Sequence, residues 1–597
     1  MVIYCHQLHE KSMASAADSP NTESLFELLR ACQRGQRVAI VGGHTDETDN
    51  QLQNELYVRQ NEDEEVDSFF NADYEKDGKL LVLTGSAGDG KTALLTRGYD
   101  AHGEDLPQAR VNLDATEARR RDGDYVDRLS NFFNTIINEI KEESGHRSAI
   151  AINYGLAVDY FERRDTPEEH RIIWDAMRQQ STPEKLSSTT GKNIKVINLS
   201  YRRTYNTDPE KLGKGLVRDL LDRFDPTNEE SPFTDAYERE KEHCPAGSDC
   251  VLLYNIRQLT QTEVKNQLAR LMAGWSISTG AYLNPRTIID NIASMILPPN
   301  LRELPYHDVC AVGHAIEENG LQPSAENLVW NAAFKTIETD MNAAASHLDP
   351  ASYTDFKTDQ RALRWASDDN ELTEKMCSVP NIEYDDDVTV GRIRTYLRKE
   401  YLENVGGRTI IDEPMSEEFN ATYTFLKQYG SQNHPPKQIR AKTSDLFDTT
   451  RKALSNWTGQ LRDDDLVEFV DGTRSTDYRY LSDGDDPSFG LESSIRKTQS
   501  LAVPGKIKLM AERENADDIP VPISFETYKL MTQISKGYTP NTTDLDQSHA
   551  IRMLNSRLDD FTNKQERIII ERRAGGQRLK IETNEFDQVT VTKEGFK

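Results

Sequence analysis

The sequence predicts an α/β fold: a parallel sheet with its helices, then a long helical region, then a small C-terminal α+β module. Three observations predict it. An apolar run, Leu80 to Leu83, leads into Gly85-Ser86-Ala87-Gly88-Asp89-Gly90-Lys91-Thr92 and then into the helix formers Ala93, Leu94 and Leu95. From about residue 71 to 235, short apolar runs alternate with amphipathic stretches, the pattern of βαβ units on a parallel sheet. That alternation then stops, and strand-like runs return only past about residue 470.

Gly85 to Thr92 fits G-x-x-x-x-G-K-[ST], the phosphate-binding loop, with a strand before it and a helix start after it as the motif requires. The glycines let backbone N–H groups curl round a phosphate chain. Lys91 reaches the β- and γ-phosphates, the Thr92 hydroxyl ligates Mg²⁺, and the helix N-terminus adds partial positive charge. The core therefore reads as a P-loop NTPase. Gly85, Ser86, Ala87, Gly88, Asp89, Gly90, Lys91, Thr92 and Ala93 are the residues expected to hold ATP. Asp89 is expected to touch the nucleotide or a partner subunit.

Before the loop, residues 1–70 form an N-terminal region. Met1 to Pro20 lacks the basic-then-apolar order of a signal peptide and reads as a disordered lead-in. Ser24 caps a helix pattern running to Arg30, Arg37 to Gly42 reads as a strand, Leu52 to Arg59 as a short element, and Asn61 to Glu65 as an acidic loop. The core, 71–235, continues with strands at 109–113, 148–152 and 193–198. Between the first two, Leu129, Phe132, Phe133, Ile136, Ile137 and Ile140 make one helical stripe. A capped helix is expected from Thr166-Pro167, and another from Leu212 to Phe224.

Residues 236–345 read as a helical lid, with helices at 261–274, 285–297 and 325–345. Residues 346–470 stay helical but polar, and 471–597 read as the α+β module. In that module strands are expected at 506–510, 567–570 and 579–581. A helix marked by Ile551, Leu554, Leu558 and Phe561 precedes the last two, and Gly575-Gly576 turns them into a hairpin.

Hydrolysis needs a carboxylate at a neighbouring strand end, to hold the Mg²⁺ shell or activate water. The strand at 148–152 ends instead in Asn153, which stands in the Walker B place and cannot act as a base. Asp114, at the end of the preceding strand, is the alternative metal or water ligand, and Asp159 lies further along a helix. Asn198 ends the fourth strand and either positions the attacking water or is a hydrogen-bonded core amide. Arg202 or Arg203, or else Arg218 or Arg223, can serve as an arginine finger in trans; Arg286, at the start of a lid helix, can sense the γ-phosphate.

Net charge is −28, with carboxylates along the whole chain, which reads as solvated acidic surface or as adaptation to a salty (halophilic) cytoplasm. Such a field repels nucleic acid unless salt screens it. The local exception is Lys564 to Lys580, with six basic residues against two acidic ones, which reads as a solvated hairpin face or as a DNA-phosphate contact. The six cysteines are sparse, as suits reduced thiols in a cytosol. The close pair, His243-Cys244 and Cys250, has C-x5-C spacing, wider than a zinc knuckle, and reads as two ordinary thiols or, as the alternative, a metal site. No run of 18 apolar residues occurs, so the expectation is a cytoplasmic protein with no membrane contact.

The loop's form, with Asp89 before Gly90-Lys91-Thr92, resembles the ATPase component of phosphorothioation-dependent DNA restriction systems, the DptF-type proteins. The resemblance extends to Glu55-Leu56-Tyr57-Val58, Ala151-Ile152-Asn153-Tyr154-Gly155, Ile197-Asn198-Leu199-Ser200-Tyr201-Arg202 and Gly537-Tyr538-Thr539-Pro540-Asn541. It implies partner restriction proteins, with ATP driving action against DNA that lacks the phosphorothioate mark (antiviral defence). Where that family often has Asn-Glu on the third strand, this chain has Asn153-Tyr154. A looser resemblance, to AAA+ and signalling ATPases with a helical lid, implies an AAA+-like core and a homo-oligomer. Two rivals stay open: an oligomerising signalling NTPase without DNA contact, and a non-hydrolysing scaffold with bound nucleotide.

Overall fold

A computed structural model describes residues 23–33, 47–71, 80–102, 110–113, 115, 125–141, 147–179, 194–202, 204–205, 215–279, 282–335, 348–351, 356–367, 370–384, 388–404, 437–457, 466–469, 478–483, 488–491, 507–512, 519–538, 567–572, 577–583 and 588–595. The protein is mixed α/β. A four-stranded sheet, all parallel, is built from β1 (Leu80–Gly85), β2 (Val111–Asn112), β3 (Ser148–Asn153) and β4 (Ile194–Asn198) in the order β2-β3-β1-β4. β1 lies between β3 and β4, and every one of its residues is buried. That is why it reads as an unbroken apolar run rather than an alternation.

Successive β1 side chains still point to opposite faces. Leu80 and Val82 join Ile150, Ile152, Phe133, Tyr160 and Trp174 on one side. Leu81 and Leu83 join Val66, Phe69, Leu94 and Leu95 on the other. The register sets Gly85 level with Asn153 and Thr84 level with Asn198, so three strand ends meet at one edge.

Several elements depart from the sequence reading. The acidic run at 61–65 is not a loop. It opens the helix Asn61–Asn71, where Glu62, Asp63 and Glu64 lie at the positive end of the helix dipole, and Asp63 accepts from the Gln60 N–H at 2.8 Å. Thr166 caps no helix, because its hydroxyl donates to the Tyr160 carbonyl at 2.5 Å. A 3₁₀ turn, Glu168–His170, comes first and the helix Arg171–Gln179 follows. The stretch expected to be helical from 325 is a 3₁₀ turn, Ala325–Asn327, and a short helix, Val329–Lys335; residues 336–347 lie outside the described residues, as does the strand expected at 37–42.

Past the sheet the chain is helical: Leu216–Arg223, Thr234–His243, Val251–Gln258, Thr262–Thr279, Pro285–Ile296 and Ala311–Glu317, then Phe356–Ser367, Asn370–Lys375, Val388–Leu402 and Lys437–Trp457. Their core takes in Trp275 and Trp330, and also Leu25 and Phe26 of the N-terminal helix Leu25–Gln33. The Gln33 amide donates to the carbonyls of Ala293 (3.1 Å) and Leu297, which fastens that helix to the end of Pro285–Ile296. Lys265 is buried between Asp222 (2.8 Å) and Asp225 (2.5 Å).

The C-terminal part holds β5 (Leu466–Phe469), β6 (Tyr478–Asp483), β7 (Ser488–Leu491), β8 (Ile507–Glu512), β9 (Ile519–Ile523), β10 (Arg567–Arg572), β11 (Gln577–Thr583) and β12 (Val589–Gly595), with the helix Phe525–Ser535. They form two antiparallel sheets, ordered β12-β11-β10-β6-β5 and β7-β8-β9. The expected hairpin is β10–β11; Gly575, Gly576 and the helix expected around Ile551 fall outside the described residues. Among the described residues no helix is long and apolar enough to cross a membrane.

The helix Lys91–His102 packs against Asn61–Asn71 through Gly98. A Cβ there would stand 2.5 Å from Val66 Cγ1 and 3.2 Å from the Phe70 ring. Alanine would gain about 1 kcal/mol of helix propensity. Overpacking costs about 1–3 kcal/mol, so the clash wins. Gly98→Ala is therefore expected to lower the urea midpoint at unchanged m; a rise in midpoint would show that the helices are free to separate.

Candidate functional site

The glycine-rich loop turns at the end of β1. Gly85 has φ +149°, and a Cβ there would collide with the Asp89 carboxylate and stand 3.3 Å from the Ser200 backbone nitrogen. Gly88 has φ +86°, and a Cβ on it would press on Arg286 Cβ and Asn284 Oδ1, both at 3.1 Å. One glycine thus lets the loop close on itself, and the other lets the helical region approach it.

Asp89 lies under the loop, fully buried. Its Oδ2 accepts from the Ser86 N–H at 2.6 Å and from the Ser200 hydroxyl at 2.7 Å. Ser200 Oγ in turn accepts from the Ser86 N–H at 2.9 Å. Arg202 donates to the Asp89 carbonyl at 2.7 Å. Burial pushes the Asp89 carboxyl up; the Ser200 hydroxyl, then the Lys91 ammonium, oppose it. The sequence expected this side chain to touch a nucleotide or a partner. Instead it faces inward and ties the loop to the end of β4. Lys91 donates to the carbonyls of Gly85 (3.2 Å) and Ser86 (2.5 Å), so its ammonium rests across the turn.

The helical region makes one hydrogen bond to the chain past β4 and one to the loop. The Tyr282 hydroxyl donates to the Leu199 carbonyl at 3.1 Å. The Asn284 amide donates to the Ala87 carbonyl at 3.2 Å while its oxygen accepts from the Thr287 N–H at 2.8 Å. One side chain therefore caps the helix Pro285–Ile296 and grips the loop. Arg286 follows at the same place and, among the described residues, pairs with no carboxylate.

A cavity of about 180 Å³ opens there. Gly88, Gly90, Lys91, Thr92 and Ala93 line it on the loop side, with Arg202 and Arg286. Leu56, Tyr57, Val58, Leu216, Leu220 and Ile289 make its apolar wall. It is cationic near the loop and apolar beyond, and none of its described lining residues is a carboxylate. The wall is fixed to the loop helix: Arg97 donates to Asn54 Oδ1 at 3.0 Å and lies 4.2 Å over the Tyr57 ring, whose hydroxyl donates to Asp63 at 2.7 Å. Sequence reasoning did not assign this wall a role. The only signal was Glu55-Leu56-Tyr57-Val58, singled out by resemblance alone.

The strand-end asparagines have local work. Asn153 Oδ1 accepts from the Gly155 N–H at 2.9 Å and caps the helix Tyr154–Phe161. Asn198 Oδ1 accepts from the Ser200 N–H at 3.1 Å and caps the 3₁₀ turn Leu199–Tyr201. Neither lines the cavity. Asp114 and Arg203 lie outside the described residues. Asp159 takes the Tyr125 hydroxyl. Arg218 pairs with Asp222 and donates to Asn266 at 3.1 Å, and Arg223 pairs with Glu230 at 2.6 Å, so both serve local packing.

In the basic C-terminal stretch, Arg567 stands across from Glu582 and Arg578 across from Glu571, and Lys580 pairs with Glu582 at 2.6 Å. Glu571 already belongs to that stretch, so Glu582 is the one added carboxylate and the stretch stays net basic. Compared with protein-family models, with curated proteins and with solved structures, the chain matches none.

Asp89→Ala removes the carboxylate oxygen that accepts from both the Ser86 N–H and the Ser200 hydroxyl, and with it the tie between the loop and the chain past β4. A hydrogen bond to a charged group contributes about 1.5–3 kcal/mol. Asp89→Ala is expected to lose stability in that range, and Asp89→Asn, which keeps one acceptor oxygen, to lose less, both read by urea denaturation.

Proposed function

We propose that this chain is an ATP-binding protein of the P-loop NTPase kind, with an AAA+-like core. The observation that carries the proposal is the pairing of loop and cavity. A loop with the phosphate-binding sequence opens on a cavity with Lys91, Arg202 and Arg286 at the loop end and Tyr57, Val58 and Ile289 at the other. A triphosphate suits the first end and a nucleobase the second. Mg²⁺ held at the Thr92 hydroxyl would supply charge neutralisation between the phosphates. Lys91 would leave the Gly85 and Ser86 carbonyls for the β- and γ-oxygens. Arg286 would meet the γ-phosphate, so that ATP and ADP differ in how firmly they hold the Asn284 contact with the loop.

For hydrolysis the residues give less support. The described cavity lining lacks a carboxylate, and Asn153 and Asn198 spend their oxygens on caps. Asp114, or a residue of a neighbouring subunit, is then the remaining source of a base or Mg²⁺ ligand. Slow turnover, raised by assembly, is the reading we favour; the same missing carboxylate supports a second one, a non-hydrolysing nucleotide-bound scaffold. The wider role we propose rests on the sequence resemblance: an ATP-controlled component of a DNA restriction system, acting with partner restriction proteins and engaging DNA through them.

Fluorescent-ATP binding and phosphate release test this. Lys91→Ala is expected to weaken ATP binding at least about tenfold, roughly 1.4 kcal/mol. Arg286→Ala is expected to weaken ATP but leave ADP nearly unchanged. Wild-type protein that fails to bind ATP at millimolar concentration would end the proposal. Tight binding with no turnover, with or without DNA and partner proteins, would select the scaffold.

A further inference from the structure

The helical region holds a cluster that neither the loop nor the cavity uses. Cys244 follows the helix Thr234–His243, Cys250 precedes Val251–Gln258, and Cys310 caps Ala311–Glu317. Their three sulfurs all lie within 4.8 Å of one another, and Cys250 and Cys310 are 3.4 Å apart. A tetrahedral ion with metal–sulfur bonds of about 2.3 Å sets its sulfurs about 3.8 Å apart, so the cluster is already at ligand spacing.

One sulfur also receives a backbone N–H group: Cys310 accepts from Gly313 at 3.4 Å. An N–H aimed at sulfur is the kind of outer partner that orients a metal-bound thiolate. The turn Cys244-Pro245-Ala246-Gly247 closes through Gly247 N–H to the Cys244 carbonyl at 3.1 Å, with Gly247 at φ +52°. Gly313 is required for the approach, since any Cβ on it would strike the Cys244 sulfur.

A fourth group stands beside them. Glu240 is fully buried and lies next to Cys310. One carboxylate oxygen accepts from the Leu25 N–H at 2.6 Å; the other, Oε2, is buried with no hydrogen-bond partner. A half-satisfied buried carboxylate is costly, and a cation beside it removes the cost. We infer that Cys244, Cys250 and Cys310 form a binding site for one thiophilic divalent cation, Zn²⁺ by the softness of its donors, with the Glu240 carboxylate beside Cys310 as the nearest protein group for a fourth position. Three thiolates and that carboxylate would fill a four-coordinate shell, which makes the ion structural. It pins three helical segments together and, through Glu240, holds the N-terminal helix. The inference does not depend on the nucleotide reading.

Full-length protein purified under reducing conditions from zinc-containing medium is expected to carry about one zinc per chain by elemental analysis. After chelation, Co²⁺ added to the reduced wild-type protein should give thiolate-to-metal absorption and the intense visible bands of a tetrahedral site, saturating at one equivalent. Cys310→Ser should lose both signals, and substitution of the exposed Cys377 should keep them. Glu240→Gln should weaken Co²⁺ by about 10- to 100-fold. Because Cys310→Ser can also fail to fold, the wild-type cobalt titration is the deciding measurement. Zinc-free protein that takes up no Co²⁺ overturns the inference, as does a Cys250–Cys310 disulfide whose reduction restores no metal binding. Unchanged Co²⁺ affinity in Glu240→Gln overturns the carboxylate's part in it.

Discussion

A carboxylate buried beneath a loop is costly unless its surroundings are arranged for it. Asp89 is in that position, and much of the site is the arrangement. The Ser86 N–H and the Ser200 hydroxyl meet one of its oxygens, and Arg202 takes its backbone carbonyl. Ser200 and Arg202 belong to the chain just past β4, whereas Ser86 and Asp89 follow β1. The contact therefore locks the loop to the neighbouring strand end, and the parallel pairing of β1 with β4 makes the two reachable. Gly85 must lack a Cβ because the carboxylate fills that space.

The cavity lies where two cores abut. Its loop side grows from the sheet, whose cores flank β1. Its apolar wall belongs to the helical core, which runs from Leu25 in the N-terminal helix to Ile534 in the helix Phe525–Ser535. The cores touch through a few polar contacts, Asn284 to Ala87, Tyr282 to Leu199 and Arg97 to Asn54. Anything bound between them bridges the sheet and the helices, and so bears on both. The buried Lys265–Asp222–Asp225 group and the Gln33 contacts keep the helical side coherent.

The strand, the loop and the loop helix were legible in the sequence because they are contiguous and the motif fixes their spacing. The cavity wall was not, since Tyr57 and Ile289 lie on opposite sides of the loop in sequence and nothing local pairs them. Asn153 and Asn198 were legible as polar strand ends, but not in what they do: an asparagine at that place serves equally to cap the next turn or to face a ligand. The acidic run at 61–65 misled because carboxylates suit both loops and first helical turns. Cys310 escaped notice beside Cys244 and Cys250 because its partnership depends on how separate helices pack.

Lys91 rests on the carbonyls of Gly85 and Ser86. On the nucleotide reading proposed above, an arriving anion would gain the ammonium only by displacing two acceptors already in place. Chloride or a lone orthophosphate would offer little beyond what it removes, whereas a chain of phosphates would bring further oxygens to the neighbouring N–H groups and to Arg202 and Arg286. The selectivity of such a loop would come as much from the contact it must give up as from those it can make.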